Sequence, residues 1–126
     1  MTSHGPQDTG LDPLQSSDLT DEASVARILS TLDLIRTGPT RWQAPTPGGQ
    51  GRLFGGQVAA QSLKAACLTI EADRRVNSMH AYFIRPGRPG VRLDLDVTLV
   101  RDGRSFSNRH VTASQEDVPI FEMMAS

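Results

Sequence analysis

The stretch "RLFGGQVAAQSLKAA" holds the residues best placed for chemistry: Gly55, Gly56 and Gln57 stand where a run of good helix formers begins. A helix N-terminus presents unpaired N–H groups and a partial positive charge, which suit a carbonyl that becomes an oxyanion under attack. Glycines there let a substrate come close to the backbone, and Gln57 can add a side-chain donor or pin the loop. A plainer role stays open: the pair supplies a positive φ at the helix entrance, and Gln57 is a surface residue. His80 is the next candidate, because a neutral imidazole can act as a general base or position water. No carboxylate partner for it is evident, which favours a hydrogen-bonded strand residue. Ser105 and Ser107 lack a histidine or aspartate at useful spacing, so no nucleophile is assigned. The three histidines and one cysteine are scattered and make no metal-ligand pattern.

The elements that must position these residues follow from periodicity. "LTDEASVARILSTLDLIRTG" predicts a helix capped by Thr20, with Val25, Ile28, Leu29, Leu32 and Ile35 on one apolar face and Gly38-Pro39 as the stop. Arg41 to Ala44 predicts a short strand, and the Pro45–Gly51 cluster a loop. From Gln57 to about residue 70 the spacing predicts a buried helix, with Ala59, Ala60, Ala65 and Ala66 allowing another layer close. Cys67 on that helix reads as packing. After Arg75 the period becomes two. "GVRLDLDVTLVRDG" sets Val91, Leu93, Leu95, Val97 and Leu99 inward and Arg92, Asp94, Asp96 and Thr98 outward, a solvated face. Asp102-Gly103 predicts a two-residue hairpin, and Glu116-Asp117 a turn into "VPIFEMMAS". The result is a buried helix before four strands in an antiparallel meander, an α+β two-layer arrangement. Residues 1–19, rich in small and polar types, read as a disordered tail ahead of a domain over 20–126.

The bulk numbers narrow the classes. With 126 residues, one domain is expected. Thirteen basic and 14 acidic residues, net −1, give no footprint for nucleic acid, and no Lys/Arg-rich amphipathic face or spanning run suggests a membrane. A single cysteine, Cys67, and no secretory signal point to the cytoplasm.

"RLFGGQVAAQSL", "HAYFIRPG", "LVRDGRSFSNRHV" and "PIFEMMAS", in this order and spacing, resemble the N-terminal half of acyl-CoA thioesterase II over residues 24 to 126. The resemblance implies a hotdog fold: an antiparallel sheet wrapped around one long central helix, here with a preceding N-terminal helix. It implies hydrolysis of acyl-CoA to a fatty acid and CoA without a cofactor, and a double hotdog of which this chain is the first half. The abrupt apolar ending at Ser126 fits a chain that stops short of the second hotdog. The family's Asp, Ser or Thr, and Gln set is expected in that missing half. Gly55, Gly56, Gln57 and Arg85 become the expected substrate-binding residues, and His80 the one catalytic candidate here. Arg85 and Arg88, in "RPGR", can meet the CoA phosphates, although the residues by themselves favour a loop whose Pro and Gly fix the turn and whose arginines keep it soluble. Relatives are similar to "HSFHSYFLRPG", so Asn77 stands where they carry histidine. His110 reads as a surface strand residue.

Two other readings compete. A lone hotdog can be a non-catalytic acyl-CoA-binding or assembly module, pairing with a second hotdog or with itself along its sheet edge. Hydration of an enoyl thioester wants Asp and His near the helix, and the segment from Gly55 to Ile70 has neither.

Overall fold

The structure is a computed structural model; it describes the backbone of residues 13–126 and the side chains of residues 21–126. The chain divides into two units, Met1–Ser30 and Thr31–Ser126. The first carries most of helix α1 (Pro13–Thr31), whose Val25, Ile28 and Leu29 are exposed. The helix starts before the expected Thr20 cap, so the expected tail boundary at residue 19 falls inside it; residues 1–12 lie outside the described residues.

The expected helix through Gly38 is corrected: it ends at Thr31, and Ile35–Gly38 is strand β1, paired with β2 (Arg41–Ala44). The β-branched Ile35 and Thr37 suit a strand. Arg36 fixes the turn by donating to the carbonyls of Gly38 (3.0 Å) and Pro39 (2.9 Å), and its guanidinium lies 5.8 Å from the Trp42 ring centroid. A strand that begins three residues downstream, at Arg41, outweighs the helical spacing.

Helix α2 (Gly55–Cys67) is followed by β3 (Met79–Phe83), β4 (Leu93–Asp102), β5 (Ser107–Gln115) and β6 (Val118–Ala125). All six strands form one antiparallel sheet in the order β1-β2-β4-β5-β6-β3. Only β4, β5 and β6 are a meander. The expected adjacency of β3 and β4 is overturned, since the chain crosses through residues 84–92 and β3 pairs with the far side of β6. The Glu116-Asp117 turn is a two-residue hairpin, with φ of 49° and 64° in the left-handed region that such turns require. The Asp102-Gly103 turn is longer than expected. Residues 103–106 form the loop, closed by Gly103 N–H on the Phe106 carbonyl at 2.7 Å. Arg74 takes up two more of its carbonyls, those of Gly103 (2.9 Å) and Arg104 (3.1 Å), and also bonds Ser107 Oγ (2.7 Å).

The sheet's inner face meets α2. Register puts Trp42, Leu95, Ala113 and Phe121 in one row and Val97, Val111 and Met123 in the next, all buried. Leu99, expected inward, keeps the register, opposite buried Arg109, yet is 49% exposed; the β4 bulge follows it, between Leu99 and Arg101. From α2, Val58, Ser62, Ala65 and Ala66 are buried, so small side chains bring the helix close to the strands. Gln61 on the same helix is wholly buried and donates from Nε2 to the carbonyls of Thr31 and Pro45, both at 2.9 Å. The helix closes with an ordinary helical bond from Leu68 N–H to Lys64 O and tighter three-residue bonds from Thr69 N–H to Ala66 O and Ile70 N–H to Cys67 O, and Thr69 Oγ1 donates to Ala66 O at 2.7 Å.

Arg109 is the deepest cation, with its side chain 2% exposed. A buried guanidinium is tolerable only when its donors are met. Here all are: Nε to Thr69 Oγ1, Nη1 to the Arg101 and Asn108 carbonyls, and Nη2 to Thr69 O and Asp102 Oδ1. It thereby ties the end of α2 to the β4–β5 hairpin. Hydrogen bonds from Arg109 and then Ser107 hold the Asp102 carboxyl below the usual carboxylate range, against a small opposing desolvation.

Two tests follow from this packing. Ala65→Leu should destabilise the fold by about 1–3 kcal/mol through overpacking, read as a lower urea midpoint; an unchanged midpoint would mean α2 is not seated so closely. A carboxyl with a lowered folded pKa contributes stability above its unfolded value, about 4, and loses it as the pH falls through the folded value. Urea midpoints measured from pH 7 to pH 2 should therefore fall less steeply on the acid side for Asp102→Asn than for the parent chain. Parallel acid limbs would show that the Asp102–Arg109 pair does not form.

Candidate active-site groove at the start of helix 2

Phe54 caps α2 with extended backbone and no side-chain bond. Its carbonyl accepts from Gln57 N–H (3.1 Å) and Val58 N–H (3.4 Å), and no acceptor among the described residues meets the N–H groups of Gly55 and Gly56. Neither glycine has a positive φ, so the conformational role left open for them is not the one they play. Steric room is what they supply. A Cβ on Gly55 would lie 2.8 Å from the Phe83 ring, and one on Gly56 would lie 2.7 Å from the Phe54 ring. The two rings flank the helix entrance, and both are well exposed, Phe54 at 78% and Phe83 at 62%. Phe83 also packs on Phe121, with centroids 5.1 Å apart.

Gly55 opens onto a cavity of about 320 Å³. Leu53, Val58, Ile120 and Phe121 give it an apolar floor, and Arg52 and Arg85 stand on its rim. Ile120 is the extra residue of a bulge in β6, and its carbonyl accepts from both Ile84 N–H (2.8 Å) and Arg85 N–H (3.1 Å). Arg85 Nη1 then donates to Pro119 O at 2.6 Å. Leu53 N–H donates to Gly87 O at 2.9 Å, which brings the segment before α2 against the turn after β3. Buried Gln115 fixes the next loop, accepting from Arg88 N–H and donating to the Arg88 and Val91 carbonyls.

Of the residues expected from sequence, Gly55 and Arg85 share this cavity; Gly56 does not line it. Gln57 is half-buried, and its Nε2 is buried with no partner among the described residues. His80 is elsewhere. Ala81 packs on the core, so its neighbour His80 points to the outer sheet face, where it shares a cross-strand row with Met124 and His110. Cys67 is exposed rather than packed, beside a second cavity of about 270 Å³ at the other end of α2 that Asn77 also lines. Although the residue is exposed, partial shielding of its sulfur raises the thiol pKa, with Lys64 opposing. Among the described residues no cluster suits a metal, and no helix is long and apolar enough to cross a membrane. Sequence reasoning missed Arg52, Phe54, Arg109 and Gln115. "RLFGG" contained two of them, but nothing local marks which loop they face.

A single helix held against the inner face of an antiparallel sheet defines an α+β protein of the hotdog class. The family model for the acyl-CoA thioesterase N-terminal domain matches residues 42–126, and the chain belongs to that family. Acyl-coenzyme A thioesterase 8 of Mus musculus is 36% identical over 129 residues, covering 98% of this chain and 37% of that protein. Peroxisomal acyl-coenzyme A thioester hydrolase 1 of Saccharomyces cerevisiae is 31% identical over 80% of this chain and 30% of its own length. Among solved structures, the tesB protein of Mycobacterium avium subsp. paratuberculosis superposes with a TM-score of 0.74 at 39% identity, over 79% of this chain and 41% of that one. The chain thus spans well under half the length of these relatives.

The close approach of Phe83 to Gly55 is testable by Gly55→Ala. Because the Phe83 ring can swing outward and alanine favours the helix, stability should change by less than about 1 kcal/mol. The ring should nevertheless be displaced, and the Phe83 and Phe121 aromatic resonances should move in NMR spectra. Unmoved resonances would contradict the packing described.

Proposed function

We propose that this chain supplies the N-terminal-domain share of an acyl-CoA thioesterase. The observation that carries this reading is the uncapped start of α2 opening, at Gly55, onto an apolar-floored cavity with arginine on its rim. In the reaction, water adds to the thioester carbonyl carbon and the C=O electron pair moves onto oxygen. The free N–H of Gly55, at the positive end of the helix, suits that charge. The C–S bond then breaks, and the departing CoA thiolate takes up the proton. Leu53, Val58 and Phe121 offer the acyl chain a dry surface, and Gln57 Nε2 is a further donor near the helix start. We place His80 outside the step, because it lies on the sheet face away from α2. The water-activating groups are assigned to no residue of this chain. The cytoplasm is the compartment we infer, from the lone cysteine; the yeast relative is named as peroxisomal.

One observation favours an assembly role beside this one. β3 is an edge strand with exposed Met79, Tyr82 and Phe83, a template for pairing with a second hotdog or another copy of the chain. Octanoyl-CoA separates the two. The purified chain should bind it yet release thiol far more slowly than the roughly 10 s⁻¹ usual for enzymes. Absence of binding would overturn the thioesterase reading, and full turnover would overturn its being only a share of the site.

A further inference from the structure

Two arginines on the rim of the α2 cavity lack a counter-charge. Arg52 has no hydrogen bond or ion pair among the described residues, and Arg85 has only the Pro119 carbonyl as a side-chain partner. The ion pairs among the described residues use Arg41, Arg88 and Arg109. Arg88 is the instructive contrast: it belongs to the same "RPGR" turn as Arg85, yet it is neutralised by Glu116 at 3.1 Å and does not line the cavity. No Asp or Glu lines the cavity either. In a chain of net charge −1, two unmatched guanidinium groups at one mouth are a local surplus, and the positive end of α2 adds to it. The surplus is also held in place. The Leu53–Gly87 backbone bond fixes the root of Arg52, and the bulge carbonyl of Ile120 fixes that of Arg85.

Planar guanidinium donors match phosphate oxygens in pairs, and two of them at one rim suit a ligand carrying more than one phosphate. We propose that Arg52 and Arg85 form a phosphate clamp for the coenzyme A part of the substrate. The phosphates stay at the exposed rim while the thioester end reaches Gly55. This rests on the acyl-CoA reading above and adds Arg52 as a binding residue.

The test is calorimetric titration of the chain with CoA, with pantetheine, which lacks the phosphates, and with inorganic pyrophosphate. Losing each arginine should weaken CoA binding about tenfold, so Arg52→Gln/Arg85→Gln should lose about a hundredfold. Its salt dependence should flatten, and pantetheine binding should be unchanged. The double lysine variant should recover part of the loss, and Arg88→Gln should bind as the parent does. A double glutamine variant that keeps its circular dichroism and binds CoA with parental affinity would overturn the clamp, as would an equal loss for pantetheine. Pyrophosphate binding as tightly as CoA would mark a general anion site and overturn the coenzyme assignment. The two proposals fail separately. Octanoyl-CoA bound with parental affinity by the double glutamine variant removes the clamp and leaves the thioesterase. Arginine-dependent CoA binding with no affinity gained from the octanoyl group leaves the clamp and removes the thioesterase.

Discussion

The close seating of α2 on the inner face of the sheet is the constraint on which the rest depends. Ala65, Ala66 and Ser62 present almost no bulk, so the helix reaches the strands and the rows through Leu95, Val97, Val111, Ala113 and Phe121 become a dry core. Burial of apolar area supplies the driving force, and the small side chains set the distance at which it is realised. Both ends of the helix are thereby fixed. One end faces Arg109 and the β4–β5 hairpin, and the other opens beside Phe83 and the turn after β3.

A helix held so tightly brings polar groups into the interior, and the fold meets them with side chains that reach across elements. Gln61 satisfies carbonyls at the ends of α1 and β2, Arg109 those around the hairpin, and Gln115 those of the 88–91 loop. Each replaces hydrogen bonds that an irregular segment cannot make with itself. Beside the cavity, Gln115 holds the 88–91 loop, and backbone bonds from Leu53 to Gly87 and from Ile84 and Arg85 to the Ile120 carbonyl give the exposed arginines on the rim a fixed base. Charges on such a base lose less freedom on binding than charges on a mobile loop.

Much of this was legible from residue order. The strand Arg41–Ala44 has the expected bounds, α2 lies within three residues of expectation at either end, and the alternation Leu93, Leu95, Val97 predicts the buried face of β4. The family was also readable, from four motifs in sequence. Two expectations about single residues did not hold. Ile35 continues a helical spacing yet lies in β1, because a strand partner downstream offers backbone bonds that the periodicity does not record. Leu99 continues the alternating pattern and stays in register opposite Arg109, yet is exposed, because spacing gives a residue's face and not what covers it. His80 lies on the outer face of β3, the face that the two-residue alternation of its strand assigns it.

Residue order alone marks which core segments are helix and strand, which faces of them are apolar, and that Gly55-Gly56 stands at the mouth of α2. These follow from spacings of two and of three to four residues along the chain, which covalent geometry converts directly into faces. Long-range pairing and packing set the rest: that β3 lies outside β6, that Phe83 rests on Gly55, that Arg109 is buried, and that Arg52 and Arg85, far apart in the chain, share one rim. Those juxtapositions depend on which strands pair and on which loops are left to cross, a choice made by the summed packing of the whole sheet rather than by any local run of residues.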